Sequence, residues 1–150
     1  MAFEAKAHRI VKVPKSYFWK RLRAFDQIKT LLPDNIIEVK LPEDFSDKIG
    51  DVRHVYLGDP YPGEVIERLD GCFDDSFLTY SIIDKSCLPM VNYVACVNLK
   101  EVSENETDVL WCSHFKPEGV SEEEITELLN SLYNLIFDNI EIQFNESKTS

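Results

Sequence analysis

Glycine is scarce in this chain, with five in 150 residues. That scarcity argues against a glycine-rich sandwich or a low-complexity chain. Basic residues are also few: sixteen Lys and Arg stand against 27 Asp and Glu, for a formal charge of −11. Nucleic acid recognition needs a basic footprint, so no nucleic acid partner is expected, nor adsorption to anionic lipid. No run approaches the ~18 apolar residues of a membrane span, so membrane insertion is not expected. The first residues, MAFEAKAHRIVKVPK, lack the apolar core of a secretory signal. The four cysteines (Cys72, Cys87, Cys96, Cys112) form no C-x-x-C pair. They read as reduced thiols, and a cytoplasmic location is expected. No P-loop, G-x-G-x-x-G or Ser-His-Asp arrangement occurs, so no cofactor is expected.

What is present suits a globular protein: 44% hydrophobic and 29% charged residues. The length suits a single domain over 1–150, with 145–150 as a disordered tail. Such a chain buries roughly 70% of its unfolded surface and needs no disulfide or metal staple. Residues 2–13 alternate as a strand. Pro14 then opens a helix with Tyr17, Phe18, Trp19, Leu22 and Phe25 at helical spacing. Asp26 is placed to cap a second short helix that Pro33 stops. Six strands follow, near 36–41, 52–57, 64–69, 76–84, 92–102 and 107–116, joined by turns such as GDPYPG. Ser121 with Glu124 makes a capping box for a long last helix, whose apolar stripe includes Ile125, Leu129, Tyr133, Ile136 and Ile140. The order predicts an α+β fold: a curved seven-stranded antiparallel sheet wrapped around a long C-terminal helix.

Alternation also predicts which face turns inward. If Leu57 pairs with Gly63, Arg53 lies opposite Glu67 and shares a face with Val55, Leu57, Val65 and Leu69. The other face carries His54, Tyr56, Glu64 and Arg68 and is more polar. Tyr93, Ala95, Val97 and Leu99 share the inner face, as do Val109, Trp111, Ser113 and Phe115. A charged pair among aliphatics is tolerated only because it is paired. Convergent polar groups on a concave apolar surface describe a small-molecule pocket. An exposed cross-strand ion pair is the alternative reading of the same spacing.

Several segments resemble the START / polyketide-cyclase / birch-pollen-allergen (SRPBCC) superfamily, whose fold is the helix-grip. They are FWKRLRAFDQIKTLLP (18–33), GDVR (50–53), ERL (67–69), TYSIID (79–84), LPMVNYVACV (88–97), VLWCSHF (109–115) and the capped terminal helix. The resemblance implies a cavity between sheet and helix that holds a hydrophobic small molecule such as a lipid, polyketide or aromatic metabolite. Within the superfamily, G-x-V-R, E-x-L and x-Y-x-A are similar to motifs of the plant lachrymatory-factor-synthase type. By that likeness Arg53, Glu67 and Tyr93 become the catalytic candidates and Trp111 a cavity residue. The ligand-binding set implied is Arg53, Val55, Glu67, Tyr80, Tyr93 and Trp111, with Leu129 and Tyr133 from the helix. The gate and latch motifs of the abscisic-acid receptors of this fold are absent. Leu57–Gly63 and Cys87–Val91 stand where they would be and are candidate lids.

Two functions follow as expectations. One is a binding module for a hydrophobic small molecule. The other is a cofactor-independent isomerase, cyclase or dehydratase, in which Glu67 moves a proton, Arg53 holds an oxyanion and Tyr93 donates a hydrogen bond. Cys96, Cys112 and His114 share the outward parity. Three soft ligands can hold zinc, but their spacing fits no pattern and a fourth ligand is missing, so no metal is expected. They read instead as small outer-face residues available to a homodimer contact.

Overall fold

A computed structural model describes residues 3–149. Strand β1 (Phe3–Val11) leads into helix α1 (Lys15–Arg23) and a 3₁₀ segment (Phe25–Thr30). Strands β2 (Ile36–Lys40), β3 (Val52–Leu57), β4 (Gly63–Phe73), β5 (Phe77–Ser86), β6 (Met90–Ser103) and β7 (Glu106–Pro117) follow, then helix α2 (Glu122–Thr149). The strands form one sheet in the order β1-β7-β6-β5-β4-β3-β2, antiparallel throughout. This is the α+β helix-grip architecture: a curved, unclosed sheet holding a long helix. Among the described residues no helix is long and apolar enough to cross a membrane.

The expected registers are the observed ones. Leu57 pairs with Gly63, Arg53 with Glu67, Val97 with Trp111 and Cys96 with Cys112. Inward alternation buries Val55, Val65, Leu69, Val97, Val109 and Phe115. Against them α2 lays Ile125, Leu129, Tyr133, Ile136, Phe137 and Ile140, all buried on one stripe of the helix. Its start carries the Ser121 half of the expected capping box, with the Glu124 N–H donating to Ser121 Oγ at 3.1 Å, while the Glu124 carboxylate accepts from the Tyr61 hydroxyl.

Three local readings need correction. Of residues 145–150, expected as a tail, 145–149 continue α2 and residue 150 lies outside the described residues. No Gly or Pro interrupts them, and Asn, Glu, Ser and Lys tolerate helix at modest cost. Asp26 does not cap the second helix. That segment starts one residue earlier, at Phe25, and Asp26 lies inside its first turn. Burial of the Phe25 ring sets this boundary more strongly than a cap preference does. Strands β4, β5 and β6 also run longer than the alternation implies, because register shifts at Leu69/Gly71 in β4, between Ile83 and Ser86 in β5 and at Val91/Val94 in β6 reset their parity.

Candidate functional site

The inner face of the sheet and α2 do not meet everywhere. Between them lies a cavity of about 70 Å³. All the residues expected to line a pocket border it: Arg53, Val55 and Glu67 from β3 and β4, Tyr80, Tyr93 and Trp111 from β5–β7, and Leu129 and Tyr133 from α2. Ile28 of the 3₁₀ segment, Leu32 of the turn that follows it and Ile36 at the start of β2 also border the cavity, and the sequence pattern does not place them there. Their spacing of four residues is visible in the sequence. Which cavity wall they face depends on a chain reversal that spacing does not encode.

Arg53 is the charged centre of this wall and is 4% exposed. Its Nε donates to Glu67 Oε1 at 2.8 Å, and its Nη1 donates to the Phe25 carbonyl at 2.8 Å. The guanidinium also lies over the Phe25 ring, 3.7 Å from the centroid, a stacked cation–π arrangement. Three contacts of different kinds therefore fix its orientation. Glu67 is less enclosed, with 15% of its side chain exposed.

The strand that carries Arg53 is anchored from outside the cavity. Gly50, at φ 98°, donates its N–H to the Leu69 carbonyl at 2.7 Å. The Asp51 carboxylate accepts from the Ser46 and Lys48 backbone N–H groups at 2.9 and 3.0 Å. These donors hold the Asp51 carboxyl below its usual range. The loop before β3 is thereby pinned, and the register that sets Arg53 against Glu67 with it.

A chain of hydroxyls crosses the other side of the cavity. Trp111 Nε1 donates to Tyr80 Oη at 3.3 Å, and Tyr80 Oη and Tyr93 Oη are 3.0 Å apart. Tyr93 Oη bonds to Tyr133 Oη, whose hydroxyl donates to Ser113 Oγ at 2.7 Å. Ser113 was placed on the inner face by parity but not recognised as the end of this chain. Burial pushes the Tyr80, Tyr93 and Tyr133 phenols well above their ordinary range, and the Glu67 carboxylate reinforces the shift at Tyr80. The three phenols are neutral at physiological pH, so they act as hydrogen-bond donors and acceptors rather than as bases.

The two candidate lids meet. The Gly63 backbone approaches Cys87 so closely that a Cβ added there would lie 2.7 Å from Cys87 Cβ. The Cys87 N–H also donates to the Glu64 carbonyl at 3.0 Å. Leu57 and Leu88, one from each loop, face the cavity.

A separate cleft of about 530 Å³ opens between β5 and β6. Their pairing ends at Ser81 and Val94, after which the strands diverge. Asp84 and Asn92, at φ 56° and 58°, turn the two backbones there. Asp and Asn are the side chains that tolerate this conformation best. The cleft shares Ile82, Leu88, Met90 and Tyr93 with the cavity wall and carries Asp84, Ser86, Asn92 and Glu118 at its polar rim.

No family model matches the chain, and no curated protein does so. Solved structures do match. The chain is similar to an uncharacterised protein of Bacillus thuringiensis, with 28% identity and a TM-score of 0.76. That match covers 95% of this chain and 98% of the other. It is likewise similar to the protein XoxI of Bacillus cereus, with 27% identity and a TM-score of 0.78 over 97% of each chain. These likenesses extend over nearly the full length and name no ligand or reaction.

Proposed function

We propose that this chain belongs to the START / SRPBCC superfamily and binds a small, largely apolar molecule bearing one hydrogen-bonding oxygen. The observation that carries this reading is the make-up of the cavity. Its walls are aliphatic and aromatic, and its polar groups are confined to the Arg53–Glu67 pair and the phenol chain. Such a wall favours an apolar body through water exclusion and orients it through a few fixed hydrogen bonds. The volume of about 70 Å³ is far below the ~300–1,000 Å³ of pockets for drug-sized ligands. It supports an occupant of a few heavy atoms, or a larger lipid, polyketide or aromatic ligand after the lids part. The cleft between β5 and β6 is the proposed path inward. Native mass spectrometry of the purified protein, followed by extraction and identification of any bound molecule, tests the reading. A chain that carries nothing and binds no member of a panel of short alcohols, ketones, carboxylates and phenols would refute it.

A second reading is favoured by one specific observation, the immobilised Arg53 beside a carboxylate that reaches the cavity. In this reading the protein is a cofactor-independent isomerase, cyclase or dehydratase. Glu67 takes a proton from a bound carbon acid and, as an isomerase or cyclase, returns it elsewhere on the same molecule or, as a dehydratase, gives it to the departing hydroxyl, which leaves as water. The Arg53 guanidinium holds the oxyanion formed in between, and the Tyr93 hydroxyl, whose proton goes to Tyr133 in this structure, turns to donate to the same oxyanion. Glu67→Gln separates the readings: a catalytic Glu67 requires retained binding with turnover lost, whereas an unchanged rate removes it from the mechanism.

A further inference from the structure

On the outer face of the sheet, remote from the cavity, the fold supplies the ligand that the sequence pattern lacked. Strands β1 and β7 pair so that Glu4 lies opposite His114 and Lys6 opposite Cys112. On the other side of β7, Cys96 of β6 lies opposite Cys112. Cys112 and His114 are two residues apart on one strand and so share this face. The Glu4 carboxylate, the Cys112 thiol and a His114 ring nitrogen converge, with their ligand atoms all within 4.8 Å of one another. His114 Nε2 and Glu4 Oε2 are 3.2 Å apart.

We propose that these three side chains, closed by Cys96 as the fourth ligand, form a zinc site that ties edge strand β1 to the sheet. The donor set is one suited to Zn²⁺: thiolate, imidazole and carboxylate. Bond lengths of ~2.0–2.3 Å place tetrahedral ligand atoms about 3.3–3.8 Å apart. The convergence of Glu4, Cys112 and His114 within 4.8 Å therefore lies within about 1.5 Å of the coordinated arrangement. Cys96 lies directly across from Cys112, on the side of β7 away from β1, and its Sγ accepts from Asn98 Nδ2 at 3.2 Å, so it joins the three converging ligands only by turning its sulfur away from Asn98. Glu4 and His114 are exposed and Cys112 and Cys96 half-buried, so an ion reaches the site without opening the fold. The net charge of −11 favours accumulation of a cation. The nearby Lys6 opposes it and sets an upper bound on affinity.

The test is titration of the untagged protein with Zn²⁺ against a chromophoric chelator, together with the visible spectrum of the Co²⁺-loaded form. The expected result is one ion per chain, with thiolate-to-cobalt charge transfer in the spectrum. Glu4→Ala, His114→Ala and Cys112→Ser should each weaken binding at least tenfold, and Cys96→Ser should remove part of the charge-transfer intensity. These positions are at the surface or receive isosteric replacements, so the variants remain folded. His8→Ala, on the same strand but paired with Asp108, should leave binding unchanged. Absence of stoichiometric binding, or binding indifferent to Cys112→Ser, would overturn the site. An unaltered charge-transfer band in Cys96→Ser would overturn the four-ligand form.

Discussion

Replacing Glu67 by Leu tests whether the Arg53–Glu67 pair is an enclosed ion pair or a solvated surface contact. In the native chain Arg53 is 4% exposed and gives one hydrogen bond to Glu67 and one to the Phe25 carbonyl. The leucine variant removes the carboxylate and leaves a guanidinium charge inside the fold. Breaking a buried pair from one side costs about 3–5 kcal/mol. The 15% exposure of the Glu67 side chain admits some water, so the lower end, about 3 kcal/mol, is expected. Glu67→Gln keeps an acceptor for Nε and loses only the charge assistance. Hydrogen bonds to charged groups contribute about 1.5–3 kcal/mol and neutral ones about 0.5–1.5, so this variant should lose about 1–1.5 kcal/mol. Arg53→Met combined with Glu67→Leu has no orphaned charge and should cost no more than either single substitution. Equilibrium urea unfolding of the native chain, Glu67→Leu, Glu67→Gln, Arg53→Met and the double variant, followed by circular dichroism, reads all of these values. Additive single-site losses, or a loss below about 1 kcal/mol for Glu67→Leu, would refute the enclosed pair.

Other predictions concern the lids, the phenol chain and the helix cap. Gly63→Ala places a Cβ 2.7 Å from Cys87 Cβ at a backbone φ of 139°, so the junction of the two lids must shift. A loss of about 1–3 kcal/mol in urea unfolding is expected, and an unchanged midpoint would contradict the close approach. Tyr80, Tyr93 and Tyr133 are held protonated in the fold by burial, above the ordinary value of 10.0. Their contribution to stability is therefore complete below pH 10.0 and is lost as pH rises toward the folded-state values, because the unfolded chain releases these protons first. Each should contribute a slope of up to about 1.4 kcal/mol per pH unit above that point. Unfolding measured in alkaline buffers should show a shallower slope for Tyr93→Phe than for the native chain. Ser121→Ala removes the oxygen that accepts the Glu124 N–H and should cost about 1 kcal/mol, read as a lower urea midpoint.

Much of the fold is legible in the chain because its strands alternate cleanly and its turns are short. Leu57–Gly63 fixes the β3–β4 register, and from it the Arg53–Glu67 contact follows by counting. The C-terminal stripe is equally plain, from Ile125 to Ile140. What alternation could not supply are contacts made across the chain reversal after β1. The Phe25 carbonyl that receives Arg53, and the Ile28, Leu32 and Ile36 wall, come from a segment whose direction is set by packing. Bulges hid the full lengths of β4 and β6, since one extra residue resets the parity that reveals a strand. The outer-face cluster eluded the sequence for a related reason. Glu4 is distant in the chain from Cys112 and His114, and only the β1–β7 register brings it across.

Trp111 reports directly on whether the space between sheet and α2 is a ligand site. Trp111 borders the cavity whereas Trp19, the other tryptophan, does not. In a Trp19→Phe background, fluorescence titration with small alcohols, ketones, carboxylates and phenols isolates the cavity. A saturable change in Trp111 emission is expected for at least one compound class, weakened at least tenfold when Leu129→Phe, which adds no second fluorophore, narrows the space. Titrations that never saturate, or that are indifferent to Leu129→Phe, would refute the ligand site.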